Sequence, residues 1–424
     1  MRSKFLLVAF LSVMAGSSLN AQSYQVIDLG TLGGEGSRAL GINASGQIVG
    51  AAKTVNDSDH AFLYENGEMT DLGTLGGSAS YAEDINDLGV IVGSSLLAGS
   101  GTRAFRYSDG AMTNLGTFGR SYSTAAAISN SGQIVGTTDL PDNFDVNAFL
   151  FENETMMALG SLSAGQSSGL GINNVGQVVG GDFGYQEPAH AFIYEDGQFT
   201  DLGTLGGLDG AGFDINDAGQ VVGMSELENP SIIHAFLYEN GEMIDLGALG
   251  GSMSLARAIN ESGQIVGFSQ LVGDIDSHAF LFAEGVLHDL NDLIPDDSGW
   301  VLTDAHDIND SGQIVGTGMR DGQSRAVLLN PVAGDPSWQF TWPEGGGSWI
   351  REGNVFTNAE AGLVWTFSSF VFGTTEYIWG PVVGEDGIAR FAFAAINRTS
   401  IRGILIQAQL FPIQQFSGEL PTVD

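Results

Sequence analysis

Short runs of alternating apolar and polar residues, separated by turn residues, follow one another along most of this chain. Ala82–Asn86, Val90–Ser94, Arg103–Tyr107 and Ala111–Leu115 form one such set, and runs of this length and pattern predict β-strands. We call them strands a, b, c and d. Between a and b stands Asn-x-x-Gly (Asn43/Gly46, Asn216/Gly219, Asn260/Gly263, Asn309/Gly312), which predicts a tight turn with glycine at positive φ. Between c and d stand Asn66-Gly67, Asp109-Gly110, Asp196-Gly197 and Asn240-Gly241, the pairs that favour a type I′ hairpin. The Ile-Val of strand b is apolar at consecutive positions, as expected for a strand covered on both faces. A glycine follows it in all seven copies (Gly50, Gly93, Gly136, Gly180, Gly223, Gly267, Gly316) and predicts close backbone approach.

The set repeats. Ile42, Ile85, Ile128, Ile172, Ile215, Ile259 and Ile308 mark seven copies of I-N-x-x-G-[Q/V]-[I/V]-V-G, spaced by 43, 43, 44, 43, 44 and 49 residues, with Ser129 replacing the asparagine of the third copy. Four antiparallel strands in a repeat of about 40 to 45 residues make a propeller blade. The seventh a-b-c set, Ala305 to Leu329, has no d strand after it, and Tyr24 to Gly30 is a d-type strand with no a-b-c set before it. The two orphans complement each other. Residues 24–30 are therefore expected to supply the outer strand of the seventh blade, removing an exposed edge. The expected fold is all-β: a seven-bladed β-propeller closed by the N-terminal strand over residues 22–331, followed by a small β-sandwich-like domain over 332–424. Leu32, Leu75, Phe118, Leu162, Leu205 and Leu249, central in the d-to-a crossovers, are expected to plug the gaps between blades.

Residues 1–21 stand outside this pattern. Arg2 and Lys4 precede the apolar run Phe5 to Ala15, and small and polar residues lead to Ala21, as in a cleaved secretory signal. That run is shorter than the roughly 20 residues a spanning helix needs. A soluble, secreted or extracellular chain with no membrane insertion is expected, stabilised by packing alone because it has no cysteine. The formal net charge is −36, and residues 24–331 hold 41 acids against 8 bases. Such a surface repels phosphate backbones, so nucleic acid is not an expected partner.

Strand c reads His-Ala-Phe at His60, His190, His234 and His278, and Asp-Leu-Gly-Thr-Leu-Gly-Gly recurs in the d-to-a segments. Together with the I-N-x-x-G-Q-I-V-G phrase, this resembles the bacterial extracellular repeats of the HAF family, over about residues 24–330. The resemblance implies a secreted or surface repeat protein and carries no catalytic residues. Arg103, Asn147 and Arg325 depart from the tripeptide, and the chain ends in Glu-Leu-Pro-Thr-Val-Asp, without the Pro-Glu-Pro sorting segment common in that family.

The four histidines invite a metal reading, but they fall on different blades. A structural hydrogen bond toward a neighbouring loop is the expected role. Asp84-Ile-Asn86-Asp87-x-Gly89 resembles a calcium loop but lacks the ligand at its fifth position and the closing glutamate. Asp84, Asp214 and Asp307 share one position of strand a, on what would be the innermost strand, where acid-base work on a glycoside is conceivable. The simpler expectation is that each caps its own Asn-x-x-Gly turn, leaving no catalytic residue and no cofactor. The b–c loops are variable and acidic, with Asp57 and Asp59; Asp139, Asp142 and Asp145; Asp182 and Glu187; Glu226 and Glu228; and Asp274 and Asp276. Variable loops on a repeat scaffold are the usual binding surface. Clustered carboxylates of one sign invite a divalent cation or a basic partner, with calcium the candidate ion at Asp139, Asp142 and Asp145 or at Asp274 and Asp276.

After Pro331 five of the six tryptophans appear, Trp338, Trp342, Trp349, Trp365 and Trp379, readable as an apolar core or as a platform for sugar rings. The expected function is a monomeric binding or adhesion scaffold for an extracellular glycan or protein. The alternatives are a carbohydrate-active enzyme and a purely structural matrix component.

Overall fold

In a computed structural model of the protein, residues 23–141, 145–163, 165–183 and 188–332 are described, together with strand segments between 339 and 412. The chain divides into a compact unit spanning Tyr24–Pro331 and a second that includes Val332–Asp424. The second holds two antiparallel four-stranded sheets. Gln339–Thr341, Ser348–Glu352, Val355–Asn358 and Leu363–Thr366 form one. Ser368–Phe372, Thr375–Val383, Ala389–Asn397 and Leu405–Pro412 form the other. Trp349, Trp365 and Trp379 fall on these strands, and Trp338 and Trp342 lie outside the described residues.

Among its described residues the first unit is all-β apart from one short 3-10 helix, Leu290–Leu293. Its strands form seven four-stranded antiparallel arrays, numbered here as sheets 1 to 7. Sheets 1 to 6 cover residues 33–71, 76–116, 123–160, 166–201, 206–247 and 250–289, each in the order a-b-c-d. A single parallel bridge between Ile233 and Met253 joins sheets 5 and 6. Sheet 7 has strands Val301–Ile308, Ile314–Arg320 and Gln323–Val332, and its fourth position is taken by Ser23–Asp28. The helix lies in the crossover into sheet 7 and accounts for the longest spacing, 49 residues.

The core lies between neighbouring sheets. Ile91 on strand b of sheet 2 packs in one cluster with Val49, Ala61 and Leu72 of sheet 1, while its neighbour Val92 joins Ile128, Ile134 and Phe149 of sheet 3. Consecutive residues of a strand point to opposite faces, so each Ile-Val pair feeds two interfaces. The phenylalanines of strand c, Phe62, Phe105, Phe149, Phe192, Phe236 and Phe280, are fully buried, each contributing about 2 kcal/mol of apolar burial. Leu32, Leu75, Phe118, Leu205 and Leu249 pack against these clusters, as the crossover pattern predicts.

Two glycine predictions are met by different physical causes. At the c–d turns both central residues have positive φ, 52° at Asn66 and 85° at Gly67, as a type I′ hairpin requires. The strand-b glycine has no such φ and is fixed by contact. A Cβ on Gly50 would lie 2.1 Å from the Arg38 carbonyl oxygen and 3.0 Å from the Phe62 ring, and Gly93, Gly136, Gly180, Gly223, Gly267 and Gly316 meet strand a in the same way.

Sheets 7 and 1 meet directly. The Leu29 amide donates to the Ala326 carbonyl (3.0 Å), and the Ala326 amide donates to the Ser37 hydroxyl (2.9 Å). Leu29, Val315, Ala326 and Leu328 share one cluster with Ala39, Ile42, Ile48 and Phe62.

Candidate functional site

Strands a and the turns that follow them are joined from sheet to sheet by polar contacts. Each Asn-x-x-Gly turn is closed by its asparagine: the Asn43 Oδ1 accepts the Ser45 and Gln47 amides at 3.1 and 3.0 Å. The same side chain does a second job that the turn motif did not announce. Its Nδ2 donates to the Asn86 carbonyl of the next sheet (3.1 Å), and Asn86 donates in turn to Ser129 (3.0 Å). Asn173, Asn216 and Asn260 continue the ladder to Asn216, Asn260 and Asn309, and Asn309 returns it to the Asn43 carbonyl at 3.1 Å. Ser129 cannot reach so far. Its hydroxyl meets Ser131 at 2.8 Å and caps the Gln133 amide at 3.2 Å.

A second ladder runs beside the first, one residue further along. The Ala44 amide donates to Asp87, Asp87 to Asn130, Asn130 to Asn174, Asn174 to Asp217, Asp217 to Glu261 and Glu261 to Asp310, all between 2.7 and 3.0 Å. Ala44 has no side-chain acceptor with which to return the link. Asp87, Glu261 and Asp310 also border an open cavity of about 160 Å³ together with Asn216, Asn260 and Asn309.

Asp84, Asp214 and Asp307 do not cap their own turns; this corrects the sequence expectation. Asp84 accepts the Ile85 amide at 2.7 Å and, through its other oxygen, the Ile128 amide of the next sheet at 2.8 Å. Asp214 does the same with Ile215 (2.8 Å) and Ile259 (2.9 Å), and Asp307 with Ile308 and Ile42 (both 2.7 Å). Each carboxylate therefore ties two strands a together, across junctions 2–3, 5–6 and 7–1. Burial pushes the Asp84 carboxyl up to about 6 against the pull of its amide donors, with Asp214 and Asp87 adding like-charge repulsion. Burial raises Asp214 as well, with a further push from Glu261, and lifts Asp307 well above the carboxylate range, where it also faces Asp84 and Asp214.

Next to this trio lies a charged arc. Arg257 of sheet 6 grips Asp304 of sheet 7 with two 2.8 Å bonds. His306 is pushed down to about 4 by burial and is neutral at physiological pH. Its Nε2 faces both the Thr317 hydroxyl (3.4 Å) and Asp304 (3.8 Å), so the ring cannot pass a proton from one to the other. Glu83 is raised by burial, and the Arg38 guanidinium sits 5.2 Å from the Tyr81 ring centre.

The tripeptide histidines reach their own d strand rather than a neighbouring loop, which corrects their partner while leaving the role structural. His60 Nδ1 meets Asp71 at 2.9 Å, His190 meets Asp201 and His234 meets Asp245 at 2.8 Å, and His278 meets Asp289 at 2.6 Å. Asp71 also accepts the Gly73 amide at 2.7 Å. The Asp of D-L-G thus joins the His of H-A-F to the crossover.

The acidic positions assigned to the b–c loops divide. Asp139 and Asp182 are buried, at 7% and 1% exposure, so they are part of the frame and not of a free loop surface. Asp139 accepts the Ser121 and Tyr122 amides, and Asp182 accepts the Leu162 amide at 2.6 Å and the Ser163 hydroxyl. Asp182 stands where Ser95, Ser225 and Ser269 bond the crossover leucine amide in other sheets. Asp274 holds the Ser252 amide (2.7 Å) and Glu226 the Leu208 amide (3.3 Å). Asp57 and Asp59 share Lys53. Glu228 lies over Gly206, and the Asp276 carbonyl accepts the Leu271 amide. Asp145 bonds Gln166, and Asp142 and Glu187 lie outside the described residues. Among the described residues no group of three or more His, Asp or Glu is placed to hold a metal ion.

No protein-family model matches the sequence, and no curated protein matches it. Among solved structures, TolB from Acinetobacter baumannii aligns with a TM-score of 0.38 at 12% identity, over 65% of this chain and 76% of that one. A puromycin-hydrolysing peptidase from Mycobacterium tuberculosis gives 0.42 at 10%, over 85% of this chain and 58% of that one. Dipeptidyl peptidase 4 from Porphyromonas gingivalis gives 0.40 at 11%, over 88% and 58%. This chain thus spans little more than half the length of either peptidase. Likeness of this degree transfers no residue, and the site is read from this chain alone.

Proposed function

We propose that this chain is a secreted, non-catalytic binding scaffold of the HAF-repeat kind. In this reading the seven sheets are the blades of a closed propeller exported through a signal cut near Ala21. The ligand, an extracellular glycan or protein, lies on the face formed by the b–c loops and the d–a crossovers. The observation that carries the non-catalytic reading is the state of the three axial carboxylates: both oxygens of Asp84, Asp214 and Asp307 are engaged by backbone amides of adjacent strands. A general acid or base must reach the substrate with a free oxygen.

The choice of face is supported by what stands exposed there. Val55 (77%), Leu208 (64%), Val272 (84%) and Ile275 (87%) project from the b–c loops and strand-a starts of sheets 1, 5 and 6, beside Asp57, Glu228 and Asp276. Apolar side chains rimmed by polar ones mark interaction surfaces. The opposite face has Leu88 and Val175 exposed at single turns, with its polar positions joined in the two ladders. No helix among the described residues is long and apolar enough to cross a membrane.

Binding of the mature chain to glycan and matrix-protein arrays tests the reading. Val55→Ser with Val272→Ser and Ile275→Ser should weaken capture at least tenfold at unchanged melting temperature, whereas Asp84→Asn should bind normally while folded. Turnover of a glycan that Asp84→Asn, Asp214→Asn or Asp307→Asn abolishes, with the loop variants active, would establish the enzyme instead.

A further inference from the structure

On sheets 5 and 6 the exposed apolar side chains of the loop face stand among acids that have no cation. Leu208, Val272 and Ile275 are 64%, 84% and 87% exposed. They belong to residues 206–210, 226–232, 250–253 and 271–276, which contain Asp209, Glu226, Glu228, Asp274 and Asp276 and neither lysine nor arginine. Among the described residues the ion pairs made by lysine and arginine lie elsewhere, at Lys53, Arg106 and Arg257. The two loops are neighbours: Ile233 bridges to Met253. Both are closed on themselves. The Leu227 amide donates to the Ile232 carbonyl (3.1 Å) and the Ile232 amide to the Asn229 carbonyl (2.9 Å); the Leu271 amide donates to the Asp276 carbonyl (2.9 Å) and the Asp274 amide to the Leu271 carbonyl (3.0 Å). Crossover glycines seat their side chains. A Cβ on Gly250 would lie 2.8 Å from Val272 Cγ2, and one on Gly206 would lie 3.2 Å from Glu228 Cγ. A surface ordered before binding costs less to occupy.

Charge and shape select the occupant. A second copy of this chain would set these acids against their own counterparts, and an acidic glycan or an anionic lipid surface meets the same repulsion. A neutral sugar finds no aromatic ring to stack on in these four segments. We propose that the loops of sheets 5 and 6 dock a basic polypeptide segment. Its lysines or arginines face Asp209, Glu226, Glu228, Asp274 and Asp276, and its apolar side chains cover Leu208, Val272 and Ile275. This names the partner class of the loop face and rests on the binding role proposed for that face. The field of a chain with net charge −36 speeds the approach of a cationic partner from any side. Apolar contact fixes where it stops.

Fluorescence anisotropy of a labelled peptide alternating lysine and leucine, titrated with the mature chain at about 0.15 M NaCl, tests the docking. Saturable binding is expected. Glu228→Gln combined with Asp274→Asn and Asp276→Asn should weaken it about tenfold or more, and so should Val272→Ser combined with Ile275→Ser. A lysine–serine peptide of equal charge should bind about tenfold more weakly than the lysine–leucine one. As a control for net charge, Glu68→Gln, Glu195→Gln and Glu242→Gln together remove three exposed acids from strands c and d, and should change binding less than about twofold. All of these variants alter exposed side chains and should melt as the wild type does. No saturable binding, or equal loss in the two acid triples, would overturn the proposal. If a neutral glycan on the array is lost by the Val272 and Ile275 variant but kept by the Glu228, Asp274 and Asp276 variant, the loop face binds and the basic partner is wrong. If the mature chain binds neither array nor peptide, the binding role of the face fails with it.

Discussion

Ser129→Asn should stabilise this protein, because the third repeat is the one place where the asparagine ladder lacks its donor. In the six complete copies the asparagine Nδ2 lies 3.0 to 3.2 Å from the next sheet's carbonyl. At position 129 the hydroxyl performs the local cap only, accepting the Gln133 amide at 3.2 Å. Asn and Ser therefore differ here mainly by one buried intersheet hydrogen bond, and the reverse change, Asn309→Ser, removes one at the junction of sheets 7 and 1. A net buried bond contributes about 1 kcal/mol, reduced by the ordering of one amide side chain. Ser129→Asn should gain about 0.5 to 1 kcal/mol, and Asn309→Ser should lose about 1 kcal/mol, since the Asn43 carbonyl keeps the Gly46 amide (3.0 Å) as a donor. In a unit of this length about 1 kcal/mol moves the melting temperature by roughly 2 °C. Urea denaturation monitored by tryptophan fluorescence and by circular dichroism reads both. If Asn309→Ser is neutral while the urea dependence is unchanged, the ladder does not hold the sheets together and the account of their junctions is wrong.

Further outcomes follow from the same contacts. Ala44→Asn should complete the second ladder by accepting the Asp310 amide, but at an exposed rim the gain is about 0.5 kcal/mol or less by urea melting. Gly50→Ala places a methyl 2.1 Å from the Arg38 carbonyl, and should cost about 3 kcal/mol or more, seen as a lost soluble yield or a large fall in urea midpoint. His60→Ala should cost about 1 kcal/mol at most, since Asp71 keeps its bond to Gly73, and chelators should leave the melting curve of the wild type unchanged if none of the tripeptide histidines holds a metal.

The strand repeat was legible because it rests on local rules. Ile-Val on strand b predicts two covered faces, Asn66-Gly67 predicts its turn, and Gly50 predicts a close approach whose partner, the Arg38 carbonyl, only the fold reveals. The site was harder to read. Asn43 already satisfies its turn, so nothing in the motif discloses that its other amide atom crosses to Asn86; Ser129, able to cap but not to cross, was the one available hint. Asp182 was read as a loop acid because chain position alone cannot tell that it replaces a buried serine. The Arg257–Asp304 pair joins residues 47 apart on strands with no shared motif, and no local pattern marks it.

The central claim is that residues 24–30 fill the outer position of the last sheet and so close the ring of blades. Hydrogen exchange at the Leu29 amide, which donates to the Ala326 carbonyl at 3.0 Å, tests it directly. The account predicts protection as long-lived as that of strand c in the other sheets, lost only on global unfolding. Exchange of residues 24–30 at the rate of a free chain, while residues 33–42 stay protected, would contradict it.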